Sequence, residues 1–255
     1  MTVSPTLITG GTGTLGRQVV PRLLDAGCRP RVLSRNSHTF TDGIEYVTGD
    51  LRTGDGIDAA VHGVETVVHL AGGPKGDEEV ARNLVTAASR VGVKHIVLVS
   101  VIGADQVSLG WFRSKLGAER VVAESGIPWT ILRAAQFHDL ALIVVQSMAK
   151  LPVIPVPGGL RFQPVDASDV ADRLLELTLG EPAGLVPDLA GPTVYGIGDL
   201  ARGYLAARGK RRMTIPLRMP GKAGRAYRDG RNLSLDADQG QRTWEDFLAE
   251  RVRPR

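Results

Sequence analysis

The chain has 255 residues, 43% of them hydrophobic and 23% charged, a globular composition long enough to bury a full core. No apolar run approaches the ~20 residues that cross a bilayer, and the opening MTVSPTLITGG lacks a basic segment followed by an apolar stretch and a cleavage site, so neither a membrane partner nor a secretion signal is expected. The lone Cys28 excludes an internal disulfide and a cysteine metal cluster, which fits a reducing cytoplasm, and the net charge of +4 is uneven: residues 201–255 hold 14 Lys and Arg against 6 Asp and Glu. Such a basic region suits nucleic acid, an anionic ligand or an acidic partner, or is simply a solvated surface; no zinc-finger, RRM or helix-turn-helix pattern speaks for nucleic acid.

From the N-terminus, β-branched runs alternate with helix-length segments. Strands are predicted at 6–9, 31–34, 44–47, 66–70, 95–100 and 129–133, most of them apolar on both faces, as in a parallel sheet covered by helices. Helices are predicted at about 14–26, 55–62, 77–91 and 110–125, followed by Gly27, Gly63, Gly92 and Gly126 where a left-handed residue commonly ends a helix. This alternation predicts an α/β fold with a doubly wound parallel sheet over residues 1–135. Beyond it, 136–150 reads as a helix and LPVIPVPGG (151–159) is too proline-rich for a central strand. A capped helix at 165–180, a strand around Leu185–Ala190, a strand at 213–217 and one or two terminal helices complete a C-terminal part, 136–255, expected to form a small substrate-covering lobe.

The most specific stretch is TLITGGTGTLGRQVVPRLLDAG, which places Gly10, Gly13 and Gly16 directly after a strand and at the start of a helix. A side chain at the first turn would obstruct the bend and the approach of a pyrophosphate; the helix start offers unpaired N–H groups and partial positive charge. Gly10, Thr12, Gly13, Thr14, Leu15 and Gly16 are therefore candidate dinucleotide contacts, Gly16 by close helix packing. The second strand ends in VLSRN, without the acid that would bind the ribose hydroxyls of NAD. Arg35 offers a forked contact to a 2′-phosphate and Ser34 a further hydrogen bond, so NADP(H) is the expected cofactor. Asp50 and Leu51 are placed to bracket the adenine, although Asp50 is also placed to cap a helix; Ala71, Gly72 and Gly73 leave room beside the cofactor.

Together TGGTGTLGR, GDL (49–51), HLAGG (69–73), RNLVTAASRVGVKHIVLVSVIGAD (82–105) and SKLGAERVVAESGIPWTILRAAQF (114–137) resemble the atypical short-chain dehydrogenase/reductases, in particular the NmrA-like NAD(P)-binding group. QPVDASDVAD (163–172) and DLAGP (188–192) extend the likeness to about residue 200. The resemblance implies a Rossmann core binding NADP(H). In that superfamily a Ser and a Tyr-x-x-x-Lys helix carry the chemistry; here the Ser position is Ser100, the Lys position Lys115, and the Tyr position is Trp111, whose indole has no acidic proton.

Other candidates are Asn83, holding main chain near the nicotinamide or serving structure, and His138, a substitute acid or a polar contact at a helix start. Trp111, Gln136 and Phe137 are candidate pocket residues. Three functions follow. One is an NADPH-dependent reductase of a small aromatic, quinone-like, imine or carbonyl compound working without the usual Tyr acid. Another is a silent NADP(H)-sensing protein, with a homo-oligomeric or protein partner. The third, a sugar-nucleotide epimerase or dehydratase, is opposed by Trp111.

Overall fold

A computed structural model describes residues 4–39 and 43–252. In chain order its elements are β1 (Pro5–Thr9), α1 (Gly16–Asp25), β2 (Arg29–Ser34), β3 (Glu45–Thr48), α2 (Ile57–Val61), β4 (Thr66–His69), α3 (Asp77–Val91), β5 (His95–Val101), α4 (Gly110–Ala123) and β6 (Trp129–Ala134). They continue with α5 (His138–Met148), β7 (Val153–Pro157), β8 (Arg161–Phe162), α6 (Ala167–Leu179), β9 (Gly184–Leu185), β10 (Leu189–Ala190), β11 (Tyr195–Gly196), α7 (Ile197–Ala207), β12 (Met213–Leu217), α8 (Gly221–Arg228), β13 (Asp238–Gln239) and α9 (Trp244–Arg251). Two compact units emerge: the first comprises Met1–Ser100, Gly110–Arg133 and Ala171–Val186, the second Val101–Leu109, Ala134–Val170 and Pro187–Arg255.

In the first unit the strand order is β3-β2-β1-β4-β5-β6, with β9 beside β6. The β1 strand runs parallel to both β2 and β4, with Ile8 opposite Val32 on one side and Val68 on the other. The order reverses at this pair, and the crevice outside the carboxyl ends of β1 and β4 is where open α/β sheets take ligands. The strands are apolar on both faces because helices cover both: Leu7, Val67, Ile96 and Leu98 are buried with Ala60, Leu84, Ala88 and Val122 from α2, α3 and α4, and the alternate residues Ile8, Val32, Val68 and Val97 are buried too, as are Val19, Val20 and Leu23 of α1. The four glycines expected to end helices, Gly27, Gly63, Gly92 and Gly126, all have positive φ.

In the second unit, α5, α7 and α9 close around Val145, Leu200, Trp244, Phe247 and Leu248. The proline-rich segment forms β7, which pairs only with β12 in a separate parallel two-stranded sheet. The run around Leu185–Ala190 is split at Pro187: β9 lies on β6 at Thr130 and Ile131, and β10 meets β6 again at Ala134 while pairing with β13 on its other side. Proline has no N–H to give a ladder, which accounts for a break at this place. The α6 helix is started by Asp166, whose Oδ1 accepts the Ser168 N–H at 2.8 Å.

Candidate functional site

The turn between β1 and α1 is fixed by what its glycines lack. Gly10 has φ +70°, and a Cβ there would lie 2.7 Å from the Ala71 backbone nitrogen, at the end of β4. A Cβ on Gly16 would collide with the Gly10 carbonyl oxygen and Gly11 Cα, so this glycine sets the packing of α1 on β1. The loop is internally tied: Gly13 N–H donates to Gly10 O and Arg17 N–H to Gly13 O, both at 3.0 Å, and Arg17 Nε donates to Thr12 O at 2.9 Å. The N–H groups of Thr14 and Leu15 at the helix start have no protein acceptor among the described residues. No acid stands in the first turn of α1 to offset its positive end.

In front of this turn lies a crevice of ≈ 540 Å³, within the range of small-molecule sites. It brings together Gly10, Thr12 and Gly13 from the first turn, Ser34 and Arg35 after β2, Asp50 and Leu51 after β3, and Ala71, Gly72 and Gly73 after β4. Arg35 is exposed and makes no hydrogen bond or ion pair among the described residues. Ser34 Oγ lies 3.0 Å from His38 Nε2 and accepts the Asn36 N–H at 3.3 Å, so the loop after β2 folds back on it. Asp50 forms a local turn, its Oδ1 accepting the Arg52 N–H at 2.9 Å. Arg52, Lys75 and Asp77 also line the crevice and were not foreseen. Thr14, Leu15, Gly16, Asn83 and Lys115 do not line it. Leu15 and Gly16 are buried beneath the loop, and the Asn83 amide donates to the carbonyls of Leu51 (2.8 Å) and Arg52 (3.3 Å), holding the post-β3 loop.

At the β4 end of the crevice sits a charged pair. Lys115 Nζ is 3.0 Å from Asp77 Oδ2, with side-chain exposures of 12% and 3%. The other Asp77 oxygen accepts the Gly73 N–H at 2.8 Å, and the Asp77 N–H donates to Ser114 Oγ at 2.9 Å. Lys115 Nζ presses against Gly72, where any Cβ would overlap it. One carboxylate thus joins the lysine, the backbone of the HLAGG segment and the start of α3. In the sequence Asp77 looks like one of three acids that complement a helix dipole (DEE, 77–79), and that ordinary reading hides it. Below the pair, His69 Nδ1 is 2.6 Å from Thr9 Oγ1, which also accepts the Ala71 N–H at 3.3 Å. Burial, reinforced by Lys115 and opposed by Asp77, pushes the His69 imidazole down to about 4, so it is neutral at pH 7.

Ser100 departs from the expected role. Its hydroxyl donates to Glu119 Oε1 at 2.5 Å, and Glu119 is gripped by Arg133 through Nε (3.0 Å) and a terminal nitrogen (2.7 Å). Ser100 and Glu119 are each 6% exposed. A serine carries a single O–H proton, and here an ion-paired carboxylate takes it, so Ser100 faces any further group as an acceptor only. Trp111, half-buried at the Tyr position, packs edge-on to Phe112 with centroids 4.9 Å apart.

His138 also departs from the expected role of proton source. It lies in the second unit, 0% exposed, with the Trp244 and Phe247 rings at 5.8 and 5.2 Å. Neither ring nitrogen has a hydrogen bond, and Nδ1 stands 3.7 Å from Asp166 Oδ2. Burial pushes the Asp166 carboxyl up, but His138, the Ser168 N–H and Arg242 (3.4 Å) outweigh it and hold the group below the usual carboxylate range. Gln136 and Phe137 precede His138: the Gln136 amide is buried without a partner among the described residues, and Phe137 forms a bridge to Val165. Among the described residues there is no cluster of three or more His, Cys, Asp or Glu fit for a metal, and no helix long and apolar enough to cross a membrane.

The chain is 33% identical over 173 residues to the (4-alkanoyl-5-oxo-2,5-dihydrofuran-3-yl)methyl phosphate reductase of Streptomyces griseus, covering 65% of this chain and 60% of that protein. It thus spans less than two thirds of that relative's length. It is 29% identical over 211 residues to the NAD(P)H azoreductase of Xenophilus azovorans, covering 80% and 74% of the two. The fold is that of the NADPH-dependent quinone oxidoreductase of Escherichia coli solved with NADPH, with TM-score 0.83 at 20% identity over 96% of this chain and 99% of that one. The model of the NAD(P)H-binding family matches residues 10–178, from the first crevice glycine through α6, and the chain belongs to that family.

Proposed function

We propose that the protein is an oxidoreductase that prefers NADPH and reduces a small, electron-poor acceptor without drawing a proton from its own side chains. The observation that carries this reading is the missing donor. Trp111 has no acidic proton, the Ser100 proton is committed to Glu119, and the Lys115 ammonium is held in an ion pair with Asp77. An acceptor whose reduced form spreads its charge over a conjugated system, or takes its proton from water, suits such a site; for it the ~10²–10⁴-fold gain of positioned acid catalysis matters least. Quinone and azo compounds belong to that class, and the names of the relatives point the same way.

The cofactor fits the residues present. The glycine cradle admits only backbone, Gly10, Thr12 and Gly13 line the crevice in front of the α1 N-terminus where a diphosphate would lie, and Arg35 with Ser34 stands ready for a 2′-phosphate. When bound, NADPH supplies the hydride. The chain supplies placement: Asp77 fixes Gly73 and Lys115 together, keeping the wall after β4 in register with the glycine turn.

Titration with NADPH and NADH tests the cofactor choice. Arg35→Glu is expected to weaken NADPH binding about 10–100-fold while changing NADH little, since a charge-assisted phosphate contact is worth roughly 1.5–3 kcal/mol. Equal affinities before and after the substitution would remove Arg35 from the phosphate site. NADPH oxidation against quinones, azo dyes, enones, imines and ketones tests the reaction. Tight binding with no turnover on any of them would favour the second reading, a cofactor sensor, which the same lack of a proton donor supports.

A further inference from the structure

The β7–β12 pair carries an apolar face that nothing in the cofactor reading uses. Its register sets Met213 opposite Val153, Ile215 opposite Pro155 and Leu217 opposite Pro157. Opposed residues of a pleated pair project to the same side. Ile154 is fully buried and Val156 packs against the Trp244 cluster, so the alternate positions form the outer face, aliphatic throughout. All five residues of β12 are exposed, and the apolar Met213, Ile215 and Leu217 are so by 69%, 49% and 52%. The chain around them is basic: residues 208–228 contain eight Lys and Arg and no Asp or Glu. Lys210, Arg211 and Arg212 stand immediately before β12, Arg218 immediately after it and Lys222 in the first turn of α8, and none of these five enters an ion pair among the described residues.

An aliphatic patch fringed by free cations selects among occupants. A second copy would bring an equally cationic fringe and be repelled. An added peptide strand needs a continuous row of donors, and Pro216 interrupts β12. Nucleic acid would use the cations but has no call for a row of aliphatic side chains, binding instead through stacked aromatics. A bilayer with anionic headgroups uses both features, the cations meeting phosphates while the apolar residues enter the acyl boundary. We propose that the outer face of the β7–β12 sheet lies on an anionic lipid surface and holds the protein there reversibly. The lack of a spanning helix does not bear on this, because the contact lies on the membrane rather than through it. The inference does not rest on the cofactor reading.

Co-sedimentation of the full chain with vesicles tests it. The chain is expected to bind phosphatidylcholine vesicles containing phosphatidylglycerol, to leave pure phosphatidylcholine vesicles in the supernatant, and to be released by salt. Reversing charge at Arg211→Glu and Arg212→Glu together should reduce partition by roughly 100-fold or more, at about a tenfold change per 1.4 kcal/mol. Ile215→Ser with Leu217→Ser should reduce it about tenfold. NADPH affinity is expected to stay unchanged in both variants, which separates this result from a failure of the cofactor site. No binding to anionic vesicles overturns the proposal, as does equal binding to neutral ones. Partition untouched by Ile215→Ser/Leu217→Ser would show mere charge attraction and reject the apolar contact. A dimeric mass in solution that this double variant makes monomeric would assign the face to a second copy instead.

Discussion

Lys115 in the first unit and His138 in the second are both buried titratable side chains, each standing where proton chemistry was expected, yet their surroundings differ. Lys115 is surrounded by partners: a carboxylate at 3.0 Å, which in turn holds the Gly73 N–H. His138 is surrounded by rings, with no hydrogen bond at either nitrogen. A lysine in a largely dry site keeps its charge only with compensation, whereas an imidazole ring can be packed by its flat faces against other rings. The contrast teaches that the residue type proposes a role and the atoms within about 4 Å decide it.

The largest expected effect breaks the compensated side of this comparison. Asp77→Ala leaves the Lys115 ammonium unpaired and the Gly73 N–H without its acceptor. Removing one member of a buried pair costs about 3–5 kcal/mol, so the urea midpoint should fall steeply. A loss under about 1 kcal/mol would mean that water reaches the pair and that the clamp is not structural.

Acid titration comes next, because the two units should fail at different pH. His69 is held down to about 4 from an ordinary 6.5, chiefly by burial. Between those values the unfolded chain binds the proton and the folded chain does not, so stability declines as pH falls from 6.5 to 4 and is level above 6.5 for this group. Its contribution is about 3 kcal/mol. His69→Gln should flatten the curve in that window by this amount, leaving the slope from His95, which burial also lowers. Asp166, in the second unit, is lowered below the usual carboxylate value, so it stabilises above its unfolded value and that stability is lost as pH drops through the folded one, at more acid pH. An unchanged slope between pH 4 and 6.5 in His69→Gln would place the ring in contact with solvent.

What the sequence discloses follows the same division. The first unit is nearly all legible, since β-branched runs, helix-ending glycines and the G-x-x-G-x-x-G turn are local signals: β2, predicted at 31–34, spans Arg29–Ser34, and α3, predicted at 77–91, spans Asp77–Val91. Gly10, Thr12, Gly13, Ser34, Arg35, Asp50, Leu51, Ala71, Gly72 and Gly73 were legible as crevice residues for that reason too, because they stand at or follow strand ends. Asp77, Glu119 and Asp166 were not, because their roles are pairings across 38, 14 or 19, and 76 positions (Asp77 to Lys115; Glu119 to Arg133 and Ser100; Asp166 to Arg242) that no local pattern records. The split of the run at 185–190 into β9 and β10 was missed although Pro187 marks it: both halves pair with β6, and only the second also meets β13.

The smallest expected effect tests the aromatic side of the comparison. His138→Phe keeps a flat ring of similar size against Trp244 and Phe247 and removes two nitrogens that have no hydrogen bond. Volume-conserving replacement with no partner left stranded costs under about 1.5 kcal/mol, and deleting an unsatisfied buried donor offsets part of that. Asp166 retains the Ser168 N–H and Arg242, so it is not abandoned. The urea midpoint should therefore move little, and any NADPH-dependent turnover should persist. Loss of turnover with the fold intact would return His138 to the chemistry, since a proton taken from that depth requires an opening of the aromatic cluster that the packed ring alone does not supply.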